Sequence, residues 1–336
     1  MRLRAGLHVM RRDRGEVQVG ADPRWAVRLT DLTPAEVDLL LALRAGADVA
    51  LPDQGRHLST LLTGARLVAD DDRPVVPGPA GADAAVWSLL LAGGGGSARV
   101  RQRASSCVGV VGLGPTGLGT ALALAAAGVG TLLLDDERPV RSVDVGVGGY
   151  RWSHVGTPRE AAAARVLRDI APHVRLGPGQ DDDGRSGGAT PDVLVVVESG
   201  AADPERGQLL VGLGVPHLSV VIREGDAVVG PLVVPGAGPC LRCLDLHRAD
   251  VDPAWPAVLG ELVGPAPADE VGVVAAVCAG LAAAAVLGVV DGDRPTAGRT
   301  YEVGLPDAVP RARDWPVHPL CGCTGLPGPA EGQAAG

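Results

Sequence analysis

The chain has 336 residues, 46% of them hydrophobic and 21% charged, enough apolar material for one large domain or two ordinary ones. Phe is absent and aromatics make up only 2%, so the core has to be built from Ala, Val and Leu. A net charge of −9 and a pI near 5.3 argue against a nucleic-acid footprint, and no apolar run follows Arg2, Arg4, Arg11 and Arg12, which argues against a signal peptide.

In chain order, LRAGLHVMRRDRGEVQVG alternates weakly around Arg14-Gly15 and predicts a β-hairpin, and AVRLT a further strand. Thr33 or Asp31 is placed to cap a helix through PAEVDLLLALRAG, with Pro34 in its first turn and Gly46 near its end. HLSTLLTGARLVADDD reads as a helix and then a strand. Together these predict a small winged-helix-like α+β module over 1–92, and AGGGGSARVRQR (Ala92–Arg103) predicts a flexible linker, bounded as 93–104.

From Ser105 the pattern changes. CVGVVGLG is a buried strand entering a glycine turn, LGTALALAAAGVG a helix and TLLLDD the next strand, a βαβ unit. Thr157, with Glu160 three residues on, fits a capping box for the helix TPREAAAARVLRDIAPHV. GPGQDDDGRSGGATP reads as a disordered loop, DVLVVVESG and PHLSVVIRE as strands with a helix around Pro204–Leu213 between them. The alternation predicts an α/β fold over 105–324, a Rossmann-like, mostly parallel sheet with helices on both faces; 325–336 reads as a disordered tail. Val271–Val290 carries no charge and is long enough to span a membrane. It is rich in Ala and Gly and is flanked by Asp269, Glu270 and Asp291 rather than by Lys or Arg, so a buried helix is expected and no membrane association.

Two features carry chemistry. Gly112-x-Gly114-x-x-Gly117 follows a strand and opens a helix: the glycines allow the tight turn, close approach of a phosphate, and close helix–strand packing. Asp135, at the end of the next strand, is placed to bind a ribose hydroxyl, with Asp136 and Glu137 beside it. Cys240-x-x-Cys243 and Cys321-x-Cys323 supply four thiolates suited to a tetrahedral, structural Zn²⁺, with His318 an alternative ligand. Cys107 and Cys278 lie in apolar runs and read as core residues. With no secretion signal, the cysteines point to a reducing, cytoplasmic setting.

With these motifs, Cys107 to Cys323 resembles the ThiF/MoeB/ubiquitin-activating superfamily, through VGVVGLGPTGLGTALALAAAGVGTLLLDDE, HVGTPREAAAARVLRDIAPHV and GPCLRCLDL. The resemblance implies ATP-dependent adenylation of a C-terminal carboxylate of a peptide or small protein, with Mg²⁺, and a homodimer. It implies that Gly112, Gly114 and Gly117 line the nucleotide and Asp135 holds the ribose. Asp136 or Glu137 would be a second acid near the phosphates, and Arg159 would stand at the usual phosphate-binding lysine. Arg151 would contact phosphate, and Glu198 would serve as metal ligand because Ser199 stands where the family carries an aspartate. Asp144 stands near a usual asparagine. GPCLRCLDLHRADVDPAWPAV, with the N-terminal module, is similar to the ThiF-like subgroup linked to cyclodehydratases of thiazole/oxazole-modified peptides. For that subgroup the alternative function is a degenerate scaffold that binds a precursor's leader peptide. No cysteine is placed as a thioester nucleophile.

Overall fold

The computed structural model describes residues 2–4, 6–43, 56–69, 76–91, 95–146, 148–177, 190–264, 268–293 and 296–325. The chain forms two compact units, Met1–Arg101 and Gln102–Gly336.

In the first unit, β1 (Val9–Asp13) and β2 (Glu16–Val19) pair across Arg14-Gly15, and β3 (Val27–Leu29) adds antiparallel to β2. Helix α1 (Pro34–Ala42) is capped by Thr33: the Glu36 N–H donates to Thr33 Oγ1 at 3.3 Å and the Thr33 N–H to Glu36 Oε2 at 2.8 Å. Helices α2 (Arg56–Gly64) and α3 (Ala80–Leu90) follow. Val9, Val17, Val19, Leu40, Leu58 and Leu62 form the centre of an aliphatic core. The strand expected after α2 amounts, among the described residues, to one bridge between Leu3 and Val68. The helix end near Gly46 lies outside the described residues.

The stretch read as a flexible linker is helical from Gly96: α4 (Gly96–Ala104) spans the division between the units. Glycine-rich composition masked the residues that follow. Arg103 is 1% exposed and makes a two-pronged ion pair with Asp291, Nε to Oδ1 at 2.8 Å and Nη2 to Oδ2 at 2.7 Å, an arrangement that needs fixed backbone.

The second unit contains, in order, β4 (Cys107–Val111), α5 (Pro115–Ala126), β5 (Thr131–Asp135), α6 (Arg159–Ile170), β6 (Arg175–Leu176), β7 (Val193–Ser199), α7 (Pro204–Gly212), β8 (His217–Ile222), β9 (Asp226–Val233), α8 (Leu241–Val251), α9 (Trp255–Leu262), α10 (Gly272–Val290), β10 (Arg299–Gly304) and β11 (Arg311–Asp314). The sheet order is β11-β10-β9-β8-β7-β4-β5-β6. Strands β6, β5, β4, β7 and β8 run parallel, and β9, β10 and β11 extend the sheet antiparallel. The sheet is therefore mixed: the tight turn between β8 and β9 leaves no room for the crossover that a parallel neighbour requires. The wholly exposed β11 forms its outer strand.

Helix α10 packs on α5 and on β9. Its buried side, Val274, Cys278, Ala282 and Val286 among others, joins Val110, Leu118, Leu124, Val195 and Val220 in the main core. Small residues let the helices close together: a Cβ on Gly119 would stand 2.9 Å from the Ala279 Cβ. Length and composition would let α10 cross a membrane; here one side of it fills the core. Cys278 lies in that core, fully buried, whereas Cys107 is only half-buried. Helix α6 begins at Arg159 and Thr157 does not cap it. The Arg159 and Glu160 N–H groups instead donate to the carbonyls of Arg138 and Asp136, at 2.9 and 3.2 Å. The expected disordered loop falls largely at 178–189 and the tail at 326–336, both outside the described residues.

Candidate functional site

The chain runs from β4 outward to β5 and β6, then returns to place β7 on the other side of β4. At such a switch point two loops leave the sheet in opposite directions and open a crevice beyond the strand ends. Gly112 and Ser199 sit at those ends. Gly112 has φ +84°, and a Cβ there would collide with the Val197 carbonyl oxygen. A Cβ on Gly117 would collide with the Gly112 oxygen. Both positions are thus limited to glycine by the turn itself. Gly114 ends the turn as N-cap of α5 and offers no side-chain cap.

A cleft of about 380 Å³ opens here, lined by Gly112, Asp135, Asp136, Glu137, Glu198 and Arg206 among others. That volume lies in the range of small-molecule sites. Asp135 is exposed at the end of β5, paired in register with Val111. Glu137 is exposed at the rim. Asp136, by contrast, is buried and committed. It accepts the Leu113 N–H at 2.8 Å, a two-pronged contact from Arg138 and Arg159 Nη1 at 3.1 Å. Burial raises its pKa; the hydrogen bonds from Arg138 and Leu113, with the charges of Arg138 and Arg159, outweigh burial and hold it below the usual carboxylate value.

Arg159 is 3% exposed and also donates Nη2 to Asp144 Oδ2 at 2.6 Å. Asp144 is buried too, held below its ordinary pKa, against burial, by Arg141 and Arg159. The Arg159 Nε is buried without a partner. This Asp136–Arg159–Asp144 cage fixes the glycine turn. Tyr150 adds to it by donating its hydroxyl to the Leu113 carbonyl at 2.8 Å. Arg159 borders a narrow crevice of about 10 Å³ with Gly112, Gly114, Arg138, Arg141, Ser199 and Glu270.

Glu198 lines the cleft, but its Oε1 accepts from Arg206 at 2.8 Å and from the Asp203 N–H at 3.2 Å. Burial holds its carboxyl above the ordinary range although Arg206 lies beside it. Ser199 Oγ accepts the Ala268 N–H at 3.1 Å. Arg151 is exposed on a turn, donates its N–H to His154 Nδ1, and borders neither opening. The structure therefore gathers the glycines, Asp135, Asp136, Glu137, Arg159 and Glu198 and leaves Arg151 outside. Arg138, Arg141 and Glu270 join the group without having been read from sequence. For the arginines the only signal was their position a few residues past Asp135.

The two cysteine pairs meet. Cys240 precedes the first turn of α8 and Cys243 lies within it; Cys321 and Cys323 follow β11. The Cys240–Cys321 sulfurs are 3.7 Å apart, the Cys243–Cys323 sulfurs 3.5 Å, and all four lie within 4.8 Å of one another. A tetrahedral ion with metal–sulfur bonds of about 2.3 Å separates its sulfurs by roughly 3.8 Å, whereas a disulfide needs about 2.05 Å. Burial pushes the Cys240 thiol up to about 11, against the Cys243 N–H hydrogen bond that opposes it; four negative thiolates this close together repel one another unless a cation lies between them. The cluster could hold a tetrahedral ion of the zinc type. His318 is not part of it: Nε2 contacts Asp250 Oδ2 at 2.9 Å and Nδ1 accepts the Leu320 N–H at 3.1 Å. A larger cavity of about 580 Å³ beside the cluster, between α7, α8 and α9, is mainly apolar. It contains neither the glycine turn nor Asp135.

The switch-point crevice, the glycine turn and the four-thiol cluster are carried by one Rossmann-like, mostly parallel α/β sheet. No protein-family model and no curated protein matches the sequence. Among solved structures the chain is similar to MccB of E. coli with ATP, 15% identical, with a TM-score of 0.66, covering 96% of this chain and 98% of that one. It is similar to the microcin C7 biosynthetic enzyme MccB in complex with N-formylated MccA, at 14% identity and a TM-score of 0.64 over 96% and 99%. It is also similar to PaaA, at 18% identity and a TM-score of 0.66 over 92% and 98%. At these identities the likeness is one of fold.

Proposed function

We propose that the chain is an ATP-dependent adenylyltransferase that activates the C-terminal carboxylate of a peptide or small protein. One observation carries this reading: the glycine turn and Asp135 share a switch-point cleft of about 380 Å³, in a fold like that of MccB solved with ATP and with N-formylated MccA. ATP supplies the adenylyl group, leaving pyrophosphate when the carboxylate joins the α-phosphorus. The backbone amides of the Gly112–Gly117 turn would bind phosphate oxygens, and Asp135 would accept the ribose hydroxyls. Arg138 and Arg141 would balance the phosphate charge. Arg159 acts chiefly by holding the turn, since both of its terminal nitrogens are already paired. Glu198 would take Mg²⁺ only after leaving Arg206. The cysteines Cys240, Cys243, Cys321 and Cys323 would hold a structural Zn²⁺, leaving no open position for water. The protein would work in the cytoplasm, as a homodimer.

The alternative, a catalytically degenerate scaffold that binds a leader peptide for a partner enzyme, is favoured by Ser199 at the expected aspartate position and by the engagement of Glu198. Pyrophosphate–ATP exchange, with a peptide bearing a free C-terminus, separates the two. Peptide-dependent exchange is expected for the enzyme. Peptide binding with no exchange and no ATP binding at millimolar nucleotide would leave only the scaffold.

A further inference from the structure

A helix N-terminus offers N–H groups that have no partner within the helix, together with the positive end of its dipole, and at α5 the glycine turn lets an anion come close to that end. In this chain a carboxylate is already there. The Thr116 N–H donates to Glu270 Oε2 at 2.8 Å. A Cβ on Gly114 would collide with Glu270 Oε1, so the glycine that would admit a phosphate admits this side chain instead. Glu270 borders the narrow crevice with Arg141 and Arg159, and the buried Arg159 Nε there has no partner. The segment is tied down by the Ala268 N–H donating to Ser199 Oγ.

We infer that Glu270 occupies the anion seat of the glycine turn and must swing out before a nucleotide phosphate can enter, which makes it the residue that sets affinity for phosphate at this site. The inference rests on the nucleotide reading above. Burial holds the Glu270 carboxyl above its ordinary range, while the Thr116 N–H and the Arg159 charge oppose that rise. A carboxylate there meets the same helix end and the same guanidinium that a phosphate would, so the two compete rather than add.

The test is calorimetric titration of the full chain, of Glu270→Gln and of Glu270→Ala, with ATP and separately with adenosine, without added magnesium. Glu270→Gln keeps the volume and an acceptor for the Thr116 N–H; Glu270→Ala empties the seat. Both variants are expected to bind ATP roughly tenfold more tightly than the native chain, the equivalent of one anion–helix-end contact. Adenosine, lacking phosphate, should bind all three alike. ATP affinity that is unchanged or weaker in Glu270→Gln, with adenosine still bound, would overturn the seat and leave the nucleotide site standing. Adenosine and ATP bound by none of the three would remove the nucleotide reading itself.

Discussion

Removing the four-thiol cluster offers a direct measure of what it does for the fold. A metal held by Cys240, Cys243, Cys321 and Cys323 would close loops spanning 80 and 81 positions. Closing a loop of about 80 residues removes roughly 4.5 kcal/mol of chain entropy from the unfolded state, counting one cross-link. For the 235-residue unit Gln102–Gly336, each kcal/mol moves the melting temperature by about 2–4 °C. The double variant Cys240→Ser, Cys243→Ser is therefore expected to melt roughly 9–18 °C below the native chain. Elemental analysis should find about one zinc per native chain and none in the variant. Cys278→Ala serves as control: its thiol is fully buried but stands apart from the cluster, so zinc should be retained. A purified native chain without zinc, whose melting is also indifferent to a chelator, would refute the cross-link.

Other outcomes follow from single contacts. Gly112→Ala, which places a Cβ against the Val197 carbonyl in left-handed backbone, should cost more than about 2 kcal/mol in urea unfolding. Gly280→Ala, in the middle of α10 with open space around it, should stabilise by roughly 0.5–1 kcal/mol. Arg103→Ala breaks the buried, two-pronged ion pair with Asp291, and a loss of about 3–5 kcal/mol is expected. Asp136 and Asp144 titrate below their ordinary value, so their contribution is complete above the unfolded pKa of about 3.9 and is lost as the pH falls through the folded values. The urea midpoint should therefore drop below about pH 4, and Asp144→Asn should flatten that drop. A native acid limb in the variant would deny the cage its role.

What the sequence disclosed was local or strongly patterned. The strand, glycine turn and helix around Gly112 are punctuated by short-range sterics. The cysteine pairs stand out because thiols are rare in this chain, and the charge-free run before Asp291 announces a buried helix. What stayed hidden depends on long-range closure. Nothing near Asp136 indicates that it grips both the turn and Arg159, and nothing near Glu270 indicates that Gly114 lies beneath its carboxylate. Helix α4 was concealed by the glycines before it, because its order comes from Arg103 meeting Asp291 far along the chain. The antiparallel half of the sheet was missed for a local reason: β9 opens on Asp226 and carries Gly230-Pro231 in its middle, a pair that reads as a turn rather than a strand.

The sheet's last strand has a further bearing on how the molecule behaves in crowded solution. An unpaired border of amides and carbonyls invites ribbon-like growth from one copy to the next. Here that border is Arg311-Ala312-Arg313-Asp314, four exposed positions of which three are ionised, with Arg299 clasping Asp314 across the neighbouring strand. A second sheet approaching this rim would have to strip water from those charges. A core built almost without aromatics is thus bounded on this side by a rim that discourages strand-to-strand pairing between folded copies.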